Sequence, residues 1–119
     1  MIRSPWIVVA PVLLVSTALA ADPPKPFVTG LTNPESVCVG ADGRLYVTCI
    51  GERDKDGDGT VVAIDGDKVV PFATGLDDPR GMVAVRQFLF VADNKKVVRI
   101  DPKGKVAVLA DEKIGRAHV

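Results

Sequence analysis

The sequence predicts an all-β fold made from a twice-repeated four-stranded antiparallel unit of the β-propeller kind, and three observations carry that prediction. The string Pro26-Phe27-Val28-Thr29-Gly30-Leu31-Thr32-Asn33-Pro34 returns as Pro71-Phe72-Ala73-Thr74-Gly75-Leu76-Asp77-Asp78-Pro79 at a shift of 45 residues. Short runs of β-branched and aromatic residues alternate with Gly, Asp, Asn and Pro, the pattern of strands joined by tight turns. Beyond the apolar N-terminal segment no stretch has helical periodicity.

Taken in order, the first unit reads as strands near 36–40, 44–50, 60–65 and 68–73, and the second as strands near 81–86, 88–93, 96–101 and 105–110. Asp42-Gly43, Gly66-Asp67 and Lys103-Gly104 supply the residues that tolerate positive φ in hairpin turns. Leu45-Tyr46-Val47 answers Leu89-Phe90-Val91 at a shift of 44, while Val61-Val62-Ala63-Ile64-Asp65 answers Val97-Val98-Arg99-Ile100-Asp101 at a shift of 36. The first unit therefore holds an extra segment between its second and third strands. The domain reading is one blade over 36–75 and a second over 76–110. Closure of a propeller takes at least ~4 blades, so the expectation is a propeller fragment. Residues 21–35 read as a linker and a ring-closing strand, because Pro26 to Leu31 matches the segment that ends the first repeat.

The two ends lie outside the repeat. Residues 1–20 read as a secretory signal peptide: a single positive charge at Arg3, an apolar run from Trp6 to Val15, and small residues at Ala18 and Ala20 before a cleavage point. The uncharged span from Trp6 to Ala21 is shorter than the roughly 20 residues that cross a bilayer, and Pro11 interrupts it. The expected location is secreted or periplasmic, with no stable membrane anchor. Residues 111–119 read as a truncated tail. Its last six residues, Ile114 to Val119, back-translate to a string resembling a sequencing adapter, and they include the only histidine, His118. The repeat itself offers no histidine for catalysis or metal binding.

Lys plus Arg equals Asp plus Glu at 15 each, which leaves no broad basic surface for nucleic acid or anionic lipid. Cys38 and Cys49 fall on the two arms of the predicted first hairpin. The residue opposite Cys38 is expected to be Leu45 or Tyr46, leaving Cys49 about 10 Å or more along the strand at ~3.3 Å per residue. A disulfide needs Cα atoms within about 7 Å. The spacing predicts two buried free thiols.

Three segments could carry chemistry. The inserted Asp54-Lys55-Asp56-Gly57-Asp58-Gly59-Thr60-Val61-Val62-Ala63-Ile64-Asp65 has the oxygen-ligand spacing of a calcium loop. Asp54, Asp56, Asp58, Thr60 and Asp65 are its candidate Ca²⁺ ligands, with Asp65 standing where glutamate is usual. Its flanks read as strands, which excludes an EF-hand, and the alternative is a solvated Asp/Gly turn. Glu35, at the start of an innermost strand, would face one mouth of a propeller channel. Its repeat equivalent is Arg80, so an acid is not required there for folding. Glu35 is a candidate divalent-metal ligand, and Arg80 a candidate substrate contact. Asp77 and Asp78 lie beside Arg80 at the entry of the second unit and could add polar contacts to a ligand, although Asp77-Asp78-Pro79 and Asp93-Asn94 read first as turns.

Gly30 to Thr48, with Pro34-Glu35-Ser36-Val37-Cys38-Val39-Gly40 and Asp42-Gly43-Arg44-Leu45-Tyr46-Val47 at its centre, resembles the gluconolactonase and regucalcin-like six-bladed propellers, with NHL-type repeats as relatives. Gly75 to Ala92 is a weaker echo. The resemblance implies a sugar-lactone hydrolase with one divalent metal in the channel, held by a glutamate matching Glu35 and by residues of later blades. Val37 and Val39 depart from the family's proline and tryptophan. The expected partner is a sugar lactone, or a carbohydrate or protein ligand on a non-catalytic propeller whose acidic loop is stiffened by calcium. These residues by themselves are expected to be inactive.

Overall fold

The computed structural model describes Pro5, Ala10, Pro11 and residues 21–112. The expected signal-peptide signature and the tail from Ile114 lie outside the described residues. Eight strands follow in order: β1 (Pro34–Val39), β2 (Leu45–Cys49), β3 (Gly59–Asp65), β4 (Lys68–Leu76), β5 (Pro79–Val85), β6 (Phe88–Asp93), β7 (Lys96–Ile100) and β8 (Val106–Asp111). They form two four-stranded sheets, β1-β2-β3-β4 and β5-β6-β7-β8, with every neighbouring pair antiparallel. Among the described residues no helix is long and apolar enough to cross a membrane.

The turns follow from residue chemistry. Gly66-Asp67 closes β3 onto β4 with Asp65 opposite Lys68, and Gly66 supplies φ of 65°. Arg86-Gln87 and Asn94-Lys95 close the second sheet's first two hairpins, with Arg86 and Asn94 both at φ 54°. The wider β7–β8 turn is held by Asp101, whose Oδ1 accepts the Lys103 N–H at 2.8 Å and the Lys105 N–H at 3.0 Å. Strand β4 runs on to Leu76, past its expected end, because Leu76 pairs with Gly59 at the start of β3.

Period-2 alternation decides the packing. Tyr46, Val61, Ala63 and Ala73 of the first sheet meet Leu89, Val91, Val98 and Ile100 of the second in one buried cluster. Tyr46 sets its ring edge-on to Phe72 at 4.9 Å between centroids. The opposite face of the first sheet buries Val47, Cys49, Val62 and Ile64 against Val28 and Leu31. Residues 21–33, where a ring-closing strand is expected to pair with strands of later blades, are outside the two ladders of the described residues. A strand needs a partner edge, and β1 to β8 pair only with one another; apolar contact and the bonds Ile50 N–H to Asn33 O (3.0 Å) and Gly51 N–H to Thr32 O (3.3 Å) hold the segment.

The repeat shows how the sheets are stacked. Leu89, Val91, Val98 and Ile100 are equivalents of Leu45, Val47, Val62 and Ile64, yet they pack on Tyr46, Val61 and Ala63. One face of the first unit thus meets the opposite face of the second, a head-to-tail arrangement that brings β1 alongside β5.

Both cysteines are free; Cys49 is buried, whereas Cys38 is only half-buried. Cys38 lies opposite Tyr46 and Cys49 opposite Pro34, so the ladder itself separates them. Burial pushes both thiols above their ordinary pKa, the setting of inert thiols.

Candidate functional site

Antiparallel pairing puts the starts of β1, β3, β5 and β7 at one end of the sheets, together with the ends of β2, β4, β6 and β8. Glu35, Arg80, the 51–58 loop, the Leu76–Pro79 connector, Asp93 and Lys96 all gather there. Asp65, at the finish of β3, lies at the other end.

Glu35 and Arg80 occupy irregular positions of β1 and β5: the register with β2 shifts between Pro34 and Ser36, and that with β6 between Pro79 and Met82. Such bulges re-aim side chains at strand ends. Arg80 Nη1 lies 3.9 Å from Glu35 Oε1, both groups being open to solvent. Their backbones are pinned by Thr48, which is wholly buried. Its Oγ1 accepts the Ser36 N–H at 3.0 Å and donates to the Arg80 carbonyl at 2.8 Å. A single hydroxyl therefore ties β1, β2 and β5 together beneath the ion pair.

A second polar group lies at the same end. Asp93, 0 % exposed, accepts the Asp77 N–H on both oxygens at 3.0 and 3.1 Å. Lys96 Nζ reaches Asp77 Oδ2 at 3.2 Å and Asp93 Oδ2 at 3.6 Å. Burial holds the Asp93 carboxyl above its ordinary pKa, against the pull of the Asp77 N–H and the Lys96 ammonium. For Lys96, burial pulls the pKa down, but the two carboxylates outweigh it and hold the ammonium above its usual value. In the sequence Asp93 has the look of a turn residue, Asp77 that of a turn residue or ligand contact, and Lys96 carries no motif. The available signal was the repeat: Asp93 answers Cys49 at the shift of 44, a charge where the first unit has a buried apolar residue.

The inserted loop folds back on itself. Gly51 stands at φ 79°, and a Cβ there would collide with the Asp58 carboxylate. Asp58 Oδ2 accepts the Glu52 N–H at 2.8 Å, while the Gly57 N–H donates to Asp77 Oδ1 at 3.0 Å and ties the loop to the connector. Gly59 is required by close approach, since a Cβ would strike Pro79 and the carbonyls of Leu76 and Asp77. Asp58 Oδ1 and Asp78 Oδ1 are buried without a hydrogen-bond partner.

The candidate calcium ligands are spread along the loop and β3. Asp54 and Asp56 are exposed at the tip, Asp58 turns inward onto Glu52, and Thr60 is in β3 opposite Cys49. Asp65 lies five residues further along the same extended strand, on the order of 16 Å from Thr60 at ~3.3 Å per residue. A twelve-residue loop converges only if its second half curls back, and here that half is ladder. Among the described residues no group of three or more His, Cys, Asp or Glu side chains converges on a metal position.

At the opposite end, Asp42, Arg44 and Tyr46 form a closed network. Asp42 Oδ2 accepts the Tyr46 hydroxyl at 2.6 Å and the Arg44 Nε–H at 2.8 Å. Those two bonds lower the Asp42 carboxyl to about 2.

No family model, curated protein or solved structure matches the chain.

Proposed function

We propose that the chain carries two blades of an exported β-propeller of the gluconolactonase-like kind, and that the end bearing Glu35 and Arg80 binds a small polyhydroxylated acid or its lactone. The observation that carries this reading is the side-by-side placement of Glu35 and Arg80 on adjacent first strands, with their backbones joined through Thr48. Head-to-tail stacking of repeated sheets, which is how blades surround an axis, supports the propeller part. The Arg80 guanidinium is a forked donor suited to a carboxylate or a lactone carbonyl, and the Glu35 carboxylate accepts from ring hydroxyls.

Of the metal ligands that the resemblance implies, the described residues include Glu35 alone. Glu35 has Arg80 beside it and no further carboxylates converge with it among the described residues, so no metal-assisted step is derived. Binding of the acid or lactone between Glu35 and Arg80 is the function the geometry supports best.

Calorimetric titration with gluconate and with glucono-lactone tests the proposal. We expect saturable binding that weakens tenfold or more in Glu35→Gln and in Arg80→Ala. Absence of binding to the unsubstituted protein, or binding unchanged in both variants, would overturn it. Lactone turnover that appears with Ca²⁺ or Zn²⁺ and disappears in Glu35→Gln would replace the binding reading with the hydrolase.

A further inference from the structure

Aspartate followed by glycine is the pair at which a peptide chain rearranges most readily, because glycine has no Cβ to shield its nitrogen or restrict its backbone. The chain holds four such pairs: Asp42-Gly43, Asp56-Gly57, Asp58-Gly59 and Asp65-Gly66. Three are held by their surroundings. The Asp42 carboxylate accepts the Tyr46 hydroxyl, the Arg44 Nε–H and the Arg44 N–H, while the Gly43 N–H donates to the Gly40 carbonyl at 3.0 Å. Asp58 accepts the Glu52 N–H, and Gly59 is buried in the β3 ladder opposite Leu76. Asp65 is paired with Lys68 in the β3–β4 ladder, which fixes its backbone.

The Asp56-Gly57 pair differs. Both residues are exposed in the inserted loop, and Gly57 stands at φ 85° with open space where a Cβ would be. Its N–H donates to Asp77 Oδ1 at 3.0 Å. That carboxylate is steadied by Lys96, whose Nζ lies 3.2 Å from the other oxygen. The Asp77 backbone is steadied in turn by the two bonds from its N–H to buried Asp93. A base within hydrogen-bond reach of the proton it removes meets the geometric condition for general-base catalysis, and here the proton sits on the nitrogen that would attack.

We infer that the Asp56–Gly57 bond is a self-modification site, at which the chain converts Asp56 to isoaspartate with Asp77 as the base. Asp56 reacts as its carboxylic acid. The Gly57 nitrogen attacks Asp56 Cγ, an N–Cγ bond forms, and the nitrogen's proton passes to Asp77. The Asp56 hydroxyl leaves, takes that proton from Asp77 and departs as water, which closes a five-membered succinimide and regenerates the Asp77 carboxylate. Water then opens the ring. Addition at Cγ restores aspartate, whereas addition at the main-chain carbonyl carbon gives isoaspartate, with the chain routed through Cβ and Cγ. The new linkage adds one atom to the backbone beside Gly57. That displaces the Gly57 N–H from Asp77 and cuts the bond that ties the loop to the Leu76–Pro79 connector.

Prolonged incubation at physiological temperature and neutral pH, followed by electron-transfer fragmentation of tryptic peptides, reads aspartate and isoaspartate at each of the four positions. The measurement needs no ligand and so stands apart from the Glu35–Arg80 reading. We expect isoaspartate to accumulate at Asp56 at least about fivefold faster than at Asp42, Asp58 or Asp65, and faster in the folded protein than in the same protein held unfolded in urea. Folding ordinarily slows this rearrangement by fixing the backbone, so a faster rate in the folded state is specific to a positioned base. Asp77→Asn keeps an acceptor for the Gly57 N–H but not the base, and should bring the Asp56 rate down to the unfolded value with circular dichroism unchanged. Should that variant fail to fold, the comparison of folded with unfolded unsubstituted protein still decides. An Asp56 rate no higher in the folded protein than in urea, or undiminished in folded Asp77→Asn, would overturn the inference.

Discussion

Replacing Thr48 by valine isolates the peg that joins the two sheets. Valine has nearly the same shape, so no cavity opens, and the loss is confined to a buried hydroxyl. That hydroxyl makes a 3.0 Å bond from the Ser36 N–H and a 2.8 Å bond to the Arg80 carbonyl. Each neutral bond contributes about 1 kcal/mol net, and a polar group left buried without a partner costs about 1–3 kcal/mol. Thr48 is wholly buried and its two partners lie in part-buried contacts, so we take about 1–1.5 kcal/mol for each of the two orphaned partners, the low end of that range, and expect Thr48→Val to cost about 2–3 kcal/mol. Against a domain stability of about 5–15 kcal/mol, that is a large share. Urea unfolding followed by circular dichroism reads it directly: with a slope of about 1.5 kcal/mol/M, the midpoint falls by about 1.3–2 M while the slope stays constant. Thr48→Ser keeps the hydroxyl and should recover most of the loss. A Thr48→Val midpoint within about 0.3 M of the unsubstituted protein would refute the reasoning, because the two bonds would then contribute nothing to the junction.

Lys96→Met removes the cation facing buried Asp93 and should cost about 2–3 kcal/mol near neutral pH. Asp93 is an acid whose folded pKa lies above 3.8, so the fold favours its protonated form. Its penalty is absent below the unfolded pKa, and grows as pH rises through the folded one. The Lys96→Met deficit should therefore be smaller at pH 4 than at pH 8 in paired urea titrations; an equal deficit at both would count against a charge-based role. For the inserted loop, millimolar Ca²⁺ should leave the melting temperature unchanged both in the unsubstituted protein and in Asp56→Ala. A calcium-dependent rise that Asp56→Ala abolishes would show that the loop rearranges into a cage.

How far the sequence reveals this molecule depends on the range of the forces involved. Strand positions were legible because β-branched alternation and turn residues act locally: seven of the eight expected spans differ from the observed ones by no more than two residues at either end, and β4 extends three further through its pairing at Gly59. The Glu35–Arg80 juxtaposition was half legible. The repeat put both at first-strand starts, but only stacking set them 3.9 Å apart. Asp93 was illegible because a carboxylate beside asparagine reads as an exposed turn, and its burial depends on Asp77 and Lys96 arriving from two other elements.

The calcium spacing meets a related constraint that bears on motif reading generally. Asp54 to Asp58 and Asp65 match a ligand pattern only along the chain; Val61 to Ile64 between them alternate and branch like a strand, and β3 pairs on both sides, with β2 and β4. The ladder fixes the rise per residue, which fixes Asp65 at the far end of the sheet. Curling the segment to bring Asp65 back would break the pairing of β3 with both neighbours and uncover Val61 and Ala63, two residues at 0 % exposure. Burial of that strand therefore opposes formation of the cage, and the same strand, by presenting Val61 inward and Val62 outward, supplies one half of each stacking face.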